Sequence, residues 1–365
     1  MNHSFNLKKI LEKADQNIPL SKQDMVSILE TKQPEEVQSV FKAARNLREK
    51  YFGNRIFLYG FLYFSTYCRN SCNFCLYRKT NTEAPRYRKT ATEILESSKR
   101  LADSGVNLID LTMGEDPLIF KKDHRGFDTL LDIIRSVKEA TQLPVMISAG
   151  VLPEMIIKQL SEAGASWYAC YQETHNQNLY NSLRTSQDYD LRFDSKRLAK
   201  EQKLLIEEGL LSGIGESSKD IADSIFAMQE LDADQVRVMT LVPQKGTPMV
   251  EVQVPDPSRE LLITALMRLA LPDRLIPASL DVGGHVELDH RLAAGANVVT
   301  SLIPPGQGLA GVAQSSLDIE DGKRTVAGIA DVLSENGLVA ATNQQYESWL
   351  NQQIKKVPSS NPKIA

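Results

Sequence analysis

An α/β protein of the (β/α)8 TIM-type barrel class, with an N-terminal helical extension, is the fold this sequence predicts. Three observations lead there. Eight short apolar runs follow one another from residue 55 onward, longer amphipathic stretches separate them, and the residues best suited to chemistry fall just beyond each run. Short apolar runs alternating with amphipathic stretches are the pattern of repeated βα units and a parallel sheet. A barrel enzyme builds its site from the loops at the C-terminal ends of its strands. Periodicity does not register closure, so an open doubly wound sheet is the alternative.

Residues 5–50 carry helical periodicity, with Ser21 followed three residues on by Asp24 as a near capping box ahead of Val26, Ile28 and Leu29. The eight runs are RIFLYGFLYF (55–64), NLIDLTM (107–113), PVMISA (144–149), SWYACYQ (166–172), GLLSGIG (209–215), QVRVMTLV (235–242), RLIPASL (274–280) and NVVTSLI (297–303). Between them lie helical patterns such as ATEILESSKRLADSG, FDTLLDIIRSVKEA, SKRLAKEQKLLIEEG, SSKDIADSIFAMQEL and PSRELLITALMRLA, several ending near glycine. The chain thus divides into a helical lead-in (1–50), a barrel (51–340) and a C-terminal helix and tail (341–365), of which KVPSSNPKIA reads as disordered.

Hydrophobic content of 42%, 24% charged residues and a formal net charge of −4 give no reason to expect nucleic acid or membrane as a partner. No stretch approaches the roughly 20 apolar residues of a membrane span. The opening MNHSFNLKKILEKADQ has no apolar core of a signal peptide, so a cytoplasmic location is expected. Four cysteines, three of them within eight residues, make a poor disulfide framework and a good metal framework in a reducing compartment.

Those three, Cys68, Cys72 and Cys75, follow the first run with spacing Cys-x3-Cys-x2-Cys. Three thiolates are one short of a structural zinc site or a ferredoxin-type cluster. Cys170, inside the fourth run, reads as a small buried hydrophobe, which leaves one metal position open to an exogenous ligand. A zinc site completed by a histidine is the competing reading.

With Phe74 just before the third cysteine, CRNSCNFC resembles the defining motif of the radical S-adenosylmethionine superfamily, and the chain is most similar to the branch containing biotin synthase and the hydrogenase maturases. The resemblance implies a 4Fe-4S cluster on Cys68, Cys72 and Cys75 whose fourth iron chelates S-adenosylmethionine. It implies reductive cleavage of that cofactor, fed by an external one-electron donor of the flavodoxin or ferredoxin type. It also implies a set of cofactor contacts. Glu115 lies in GEDP, where the family has a Gly-Gly-Glu-Pro-like stretch and this chain has Met113 in place of the first glycine. Ser148 lies at the end of the third run. Glu173 matches a polar position near the ribose, Arg192 a partner for the cofactor carboxylate, and Ile214, within GIGES, a motif beside the adenine. A helix-cap carboxylate and a solvated helix charge are the plain alternatives for Glu173 and Arg192.

Strand residues alternate between interior and exterior. In NLIDLTM, Ile109, Leu111 and Met113 share one face, so Asp110 and Thr112 share the other, and a charge such as Asp110 belongs inside with a partner rather than among packed helices. By the same alternation Arg237 lies with Met239 and Leu241, and Ser279 with Asp281, giving a lumen of one cation and two anions. That set suits an amino acid with a second ammonium group, such as L-lysine. Arg237 and Ser279 would take the carboxylate, Asp281 the α-ammonium and Asp110 the second one. An internal Arg237–Asp281 salt bridge is the structural alternative. Other readings left open are a related radical enzyme acting on a different small amino acid, and an iron–sulfur redox or scaffold protein without catalysis.

Overall fold

The first strand, β1 (Arg55–Ser65), shows how the chain organises itself. Phe57, Tyr59, Phe61 and Tyr63 face one way, and Ile56, Leu58, Leu62 and Phe64 face the other, into the main core. A strand buried on both faces is what a parallel barrel requires. The structure is a computed structural model and describes residues 2–121, 125–253, 256–305 and 323–356.

Seven more strands follow: β2 (Leu108–Met113), β3 (Val145–Ser148), β4 (Ala165–Ala169), β5 (Leu205–Ser212), β6 (Gln235–Thr240), β7 (Pro277–Ser279) and β8 (Val298–Leu302). Every pairing is parallel and the spatial order is β6-β5-β4-β3-β2-β1-β8-β7, without the reversal that a doubly wound sheet needs. The barrel is therefore nearly closed, and the open-sheet alternative falls. Its seam lies between β6 and β7, which meet only low down, where Val236 N donates to Leu275 O at 3.0 Å and Leu275 N to Asp234 O at 3.1 Å. Higher up, side chains span the seam: Glu260 accepts from Thr240 Oγ1 and, at 2.7 Å, from Arg291 Nε.

The lead-in forms α1 (Asn2–Asp15), α2 (Lys22–Leu29) and α3 (Pro34–Phe52), and the Ser21–Asp24 capping box is present at the start of α2. The outer layer comprises α4 (Ala91–Asp103), α5 (Arg125–Thr141), α6 (Glu154–Leu160), α7 (Gln177–Leu183), α8 (Tyr189–Glu201), α9 (Ser218–Glu230), α10 (Pro257–Ala270) and α11 (Leu288–Ala293). The last described elements are α12 (Ala330–Glu335), the two-residue strand β9 (Val339–Ala340), which pairs with the start of β1, and α13 (Asn343–Lys356).

Helix α13 seals the lower mouth. Tyr346 and Leu350 pack with Phe57, Tyr59, Leu108, Trp167, Leu205 and Val298, all interior positions, and the Tyr59 and Tyr346 hydroxyls hydrogen-bond at 2.8 Å. Tyr346→Ala removes a large side chain and strands a buried hydroxyl, so it should destabilise the protein by about 3–5 kcal/mol in a urea titration.

Three boundaries differ from the sequence expectation. β5 begins at Leu205, four residues before 209, because LIEEG is strand and α8 ends at Glu201. Glu207 and Glu208 are tolerated there because each finds a buried cation. β4 ends at Ala169, so Cys170 lies just past the strand rather than inside it. β7 shrinks to three residues because the strand on one side of it diverges at the seam. The tail expected to be disordered lies, from residue 357, outside the described residues.

Candidate active site

Inside the barrel, above the aromatic floor, is a cavity of about 260 Å³. Its walls include Cys68, Cys72, Cys75, Glu115, Ser148, Glu173 and Arg192 toward the rim, and Asp110, Arg237, Ser279 and Asp281 deeper down. Ile214 stands apart from these walls. It packs with Leu183, Leu211 and Leu241, against the partly buried Phe74 and Met249.

The cysteine loop is held rigidly before any ligand is considered. Arg86 donates to the carbonyls of Thr66, Tyr77, Arg78 and Asn81. Gly114 passes so close beneath the loop that a Cβ there would meet Tyr67 O at 2.4 Å and Cys68 Cβ at 2.9 Å. Burial, then the neighbouring Cys72 and Cys68, raises the pKa of the Cys75 thiol. Thiols crowded in such a setting ionise when cationic charge joins them, which is the condition of metal ligation. Gln187 Nε2 donates to Cys72 Sγ at 3.0 Å and Arg184 Nη1 does so at 3.4 Å, the kind of contact that stabilises sulfur carrying negative charge. The three thiols that line the cavity are one short of the four ligands of a closed structural zinc site. A multi-iron cluster, which spreads its thiolate corners, fits the donor set better.

Beside the cysteines lies a second polar group. Glu115 accepts from Arg69 Nε at 2.8 Å and Val151 N at 3.1 Å, with Arg192 Nη2 at 3.5 Å. Gly150, at φ +74°, approaches so closely that a Cβ would meet Glu115 Oε1 at 2.4 Å. Arg192 is buried and donates to Gln187 Oε1 at 2.8 Å and Cys170 Sγ at 3.1 Å. Cys170 is thus more than a core hydrophobe: it faces the cavity and accepts from an arginine. Glu173, at φ +69°, takes Arg184 Nη2 at 2.7 Å. Glu173 Oε2, Arg184 Nε and Arg192 Nε are buried without a hydrogen-bond partner. Such atoms call for a ligand or ordered water, and a zwitterionic nucleoside supplies matching groups.

Behind this segment the fully buried Lys196 pairs with Glu208 and donates to Cys170 O at 2.8 Å and Gln172 Oε1 at 3.0 Å. Glu208 Oε1 in turn accepts from Gln172 N at 2.7 Å, tying residues 170–173 to β5. His175 beside it is held neutral, its pKa lowered to about 4 by burial.

Deeper in the lumen the charge set is larger than sequence alternation indicated. Arg237 Nε lies 3.1 Å from Glu207 Oε1, Nη1 donates to Tyr171 Oη at 3.1 Å and Nη2 to Thr300 Oγ1 at 2.7 Å. Tyr171 donates to Glu207 Oε2 at 2.7 Å, closing the ring. Described hydrogen bonds take one N–H on each terminal nitrogen and leave one on each, the number a carboxylate accepts, while Nε faces Glu207 as an ion pair. Asp281 accepts from Ser301 Oγ at 2.7 Å, Ser279 Oγ at 3.1 Å and Arg324 Nη2 at 2.7 Å. The Arg237–Asp281 bridge, the structural alternative, is not formed; two separate pairs, Arg237–Glu207 and Arg324–Asp281, stand in its place. Among the described residues Asp110 accepts from Thr112 Oγ1, at 2.9 Å, and its pKa is raised to about 7 by burial and then by Glu207.

A family model described as the Radical SAM superfamily matches residues 62–227. The chain is 40% identical over 345 residues to 3-methylornithine synthase of Methanosarcina acetivorans, covering 94% of this chain and 97% of the relative. The chain belongs to the 3-methylornithine synthase family of radical S-adenosylmethionine enzymes. A crystal structure of methylornithine synthase superimposes with a TM-score of 0.88 at 39% identity, over 93% of this chain and 99% of that one. The FeFe-hydrogenase maturase subunit HydE of Thermotoga maritima is more distant, at 31% identity over 72% of this chain and 74% of the relative. Membership in the 3-methylornithine synthase family implies a 4Fe-4S cluster and S-adenosylmethionine as cofactors. No helix among the described residues is long and apolar enough to cross a membrane.

Proposed function

We propose that this chain is a radical mutase that isomerises L-lysine to (3R)-3-methyl-D-ornithine, the first step toward pyrrolysine. The observation that carries the reading is the lumen's charge set. Arg237 has two N–H groups to offer a carboxylate, and two carboxylates, Asp110 and Asp281, line the same cavity to receive ammonium groups. Within this reading Cys68, Cys72 and Cys75 hold the cluster, and Glu115, Ser148, Glu173 and Arg192 bind S-adenosylmethionine. Ile214 packs near its adenine. When bound, cluster and cofactor supply a 5′-deoxyadenosyl radical after reduction by an external one-electron donor.

The chain's own contribution is binding and confinement. Arg237, braced by Glu207, Tyr171 and Thr300, fixes the carboxylate, while Asp110 anchors the far ammonium so that one side-chain carbon is presented upward. Asp281 arrives with Arg324 already paired, so the α-ammonium joins a shared carboxylate held by Ser279 and Ser301. The α13 plug and the Glu260–Arg291 seam keep water away from reactive fragments. In domain terms, the helices of the 1–50 segment brace the barrel from outside, 51–340 carry the chemistry and, of 341–365, helix α13 closes its base.

The test is isotopic. Anaerobic turnover of perdeuterated L-lysine should place deuterium in recovered S-adenosylmethionine, because a mutase returns hydrogen from the cofactor to the product. Stoichiometric 5′-deoxyadenosine with no deuterium in the recovered cofactor would indicate a consuming reaction instead.

A further inference from the structure

Between residues 69 and 89 the chain carries six cations, Arg69, Arg78, Lys79, Arg86, Arg88 and Lys89, against one acid, Glu83, in a protein whose net charge is −4. Glu83 is itself paired with Lys245 at 2.9 Å. This concentration surrounds the cysteine loop. Arg86 is occupied inside it, but others reach outward onto a depression of about 520 Å³ on the flank of the barrel, between β1 and α5.

Arg88, Lys89, Lys121 and Arg125 line that depression, and Asp116 is its one acid among the described residues. Asp116 is buried and already engaged by Arg88, whose Nε and Nη2 lie at 2.6 and 3.0 Å, and by Ser65. Among the described residues of the lining, cations therefore outnumber the acid. The depression also leads inward. Ser65 forms part of its wall, and the Arg88 guanidinium lies 3.6 Å over the ring of Tyr67, the residue next to Cys68. Arg69 stacks at 4.4 Å over Phe120, on the neighbouring loop. Cation-rich surface and cysteine loop are thus joined through a single aromatic side chain.

We propose that this basic flank is the docking surface for an acidic one-electron carrier protein of the ferredoxin or flavodoxin class. The inference rests on the reading that the three cysteines hold a cluster reduced from outside. Charge complementarity favours an acidic partner and speeds its encounter. In the transfer itself, a reduced ferredoxin loses one electron and the cysteine-bound cluster gains it, with no bond made or broken and no proton carried.

The experiment compares the reconstituted protein with its Lys89→Glu, Lys121→Glu variant; Lys121 is exposed, Lys89 half-buried, and both lie outside the cavity. Binding of a bacterial 4Fe-4S ferredoxin is measured by anaerobic titration calorimetry, and cluster reduction by stopped-flow absorbance. At an ionic strength of about 20 mM the double variant should bind ferredoxin at least about tenfold more weakly and be reduced correspondingly more slowly. The difference should vanish near about 0.5 M salt. Reduction by dithionite should be unchanged. Unaltered ferredoxin affinity, absence of ferredoxin binding to the unsubstituted protein, or an equal loss with dithionite would each overturn the assignment. Neither readout uses lysine, so failure of the substrate reading and failure of this one are separable.

Discussion

Arg237→Met should lower L-lysine turnover by about a hundredfold or more and, at the same time, destabilise the protein by about 3–5 kcal/mol. The two losses have different origins. Activity falls because the carboxylate of the substrate loses its bidentate partner. Stability falls because Glu207, 3.1 Å from the guanidinium and buried, is left as an uncompensated charge. Adding Glu207→Gln removes that charge while keeping an acceptor for the Tyr171 hydroxyl, so the double variant should recover most of the stability and none of the turnover. Urea titration and an anaerobic product assay separate the two effects. Parallel recovery of both would mean that Arg237 serves only to neutralise Glu207.

Asp110→Asn should leave dithionite-driven cleavage of S-adenosylmethionine largely intact but weaken L-lysine binding by about a hundredfold. Asp110 lies among Glu207 of β5, Arg237 of β6, Asp281 beyond β7, Tyr59 of β1 and Tyr171 beyond β4. Burial and Glu207 raise its pKa to about 7, so below that pH the carboxyl is protonated and an incoming ammonium must displace the proton. Lysine affinity should rise about tenfold per pH unit below 7 and level off above it. The same raised pKa makes Asp110 favour the folded state below the ordinary carboxyl range, an effect lost as pH rises through about 7. Glu207→Gln should move the inflection of the binding curve downward. A binding curve flat between pH 5.5 and 8 would contradict the role given to Asp110.

Much of this was legible in the sequence where one residue type admits one use. Alternation along NLIDLTM is sufficient to turn Asp110 inward, because Ile109, Leu111 and Met113 claim the helix-facing layer. The cysteine spacing is equally direct, since three thiols in a short loop have few structural uses. Glu207 and Glu208 were not legible. Two adjacent acids in KLLIEEG read as the solvated end of a helix, and only the positions of Arg237 and Lys196, 30 and 12 residues away in the chain, make them interior groups. Arg324 was hidden for another reason: it lies past the last barrel strand, 43 residues from Asp281, where no strand period applies. The Arg86 clamp was invisible because its partners are backbone carbonyls, which carry no residue signature.

The measurement that bears most directly on function is the identity of the product. Protein reconstituted with iron and sulfide, incubated anaerobically with dithionite, S-adenosylmethionine and carbon-13-labelled L-lysine, should yield an isomer of unchanged mass. Its carbon NMR spectrum should contain a new methyl group attached to a methine carbon, with little net 5′-deoxyadenosine. Abundant 5′-deoxyadenosine with all the lysine recovered unrearranged would contradict a lysine mutase.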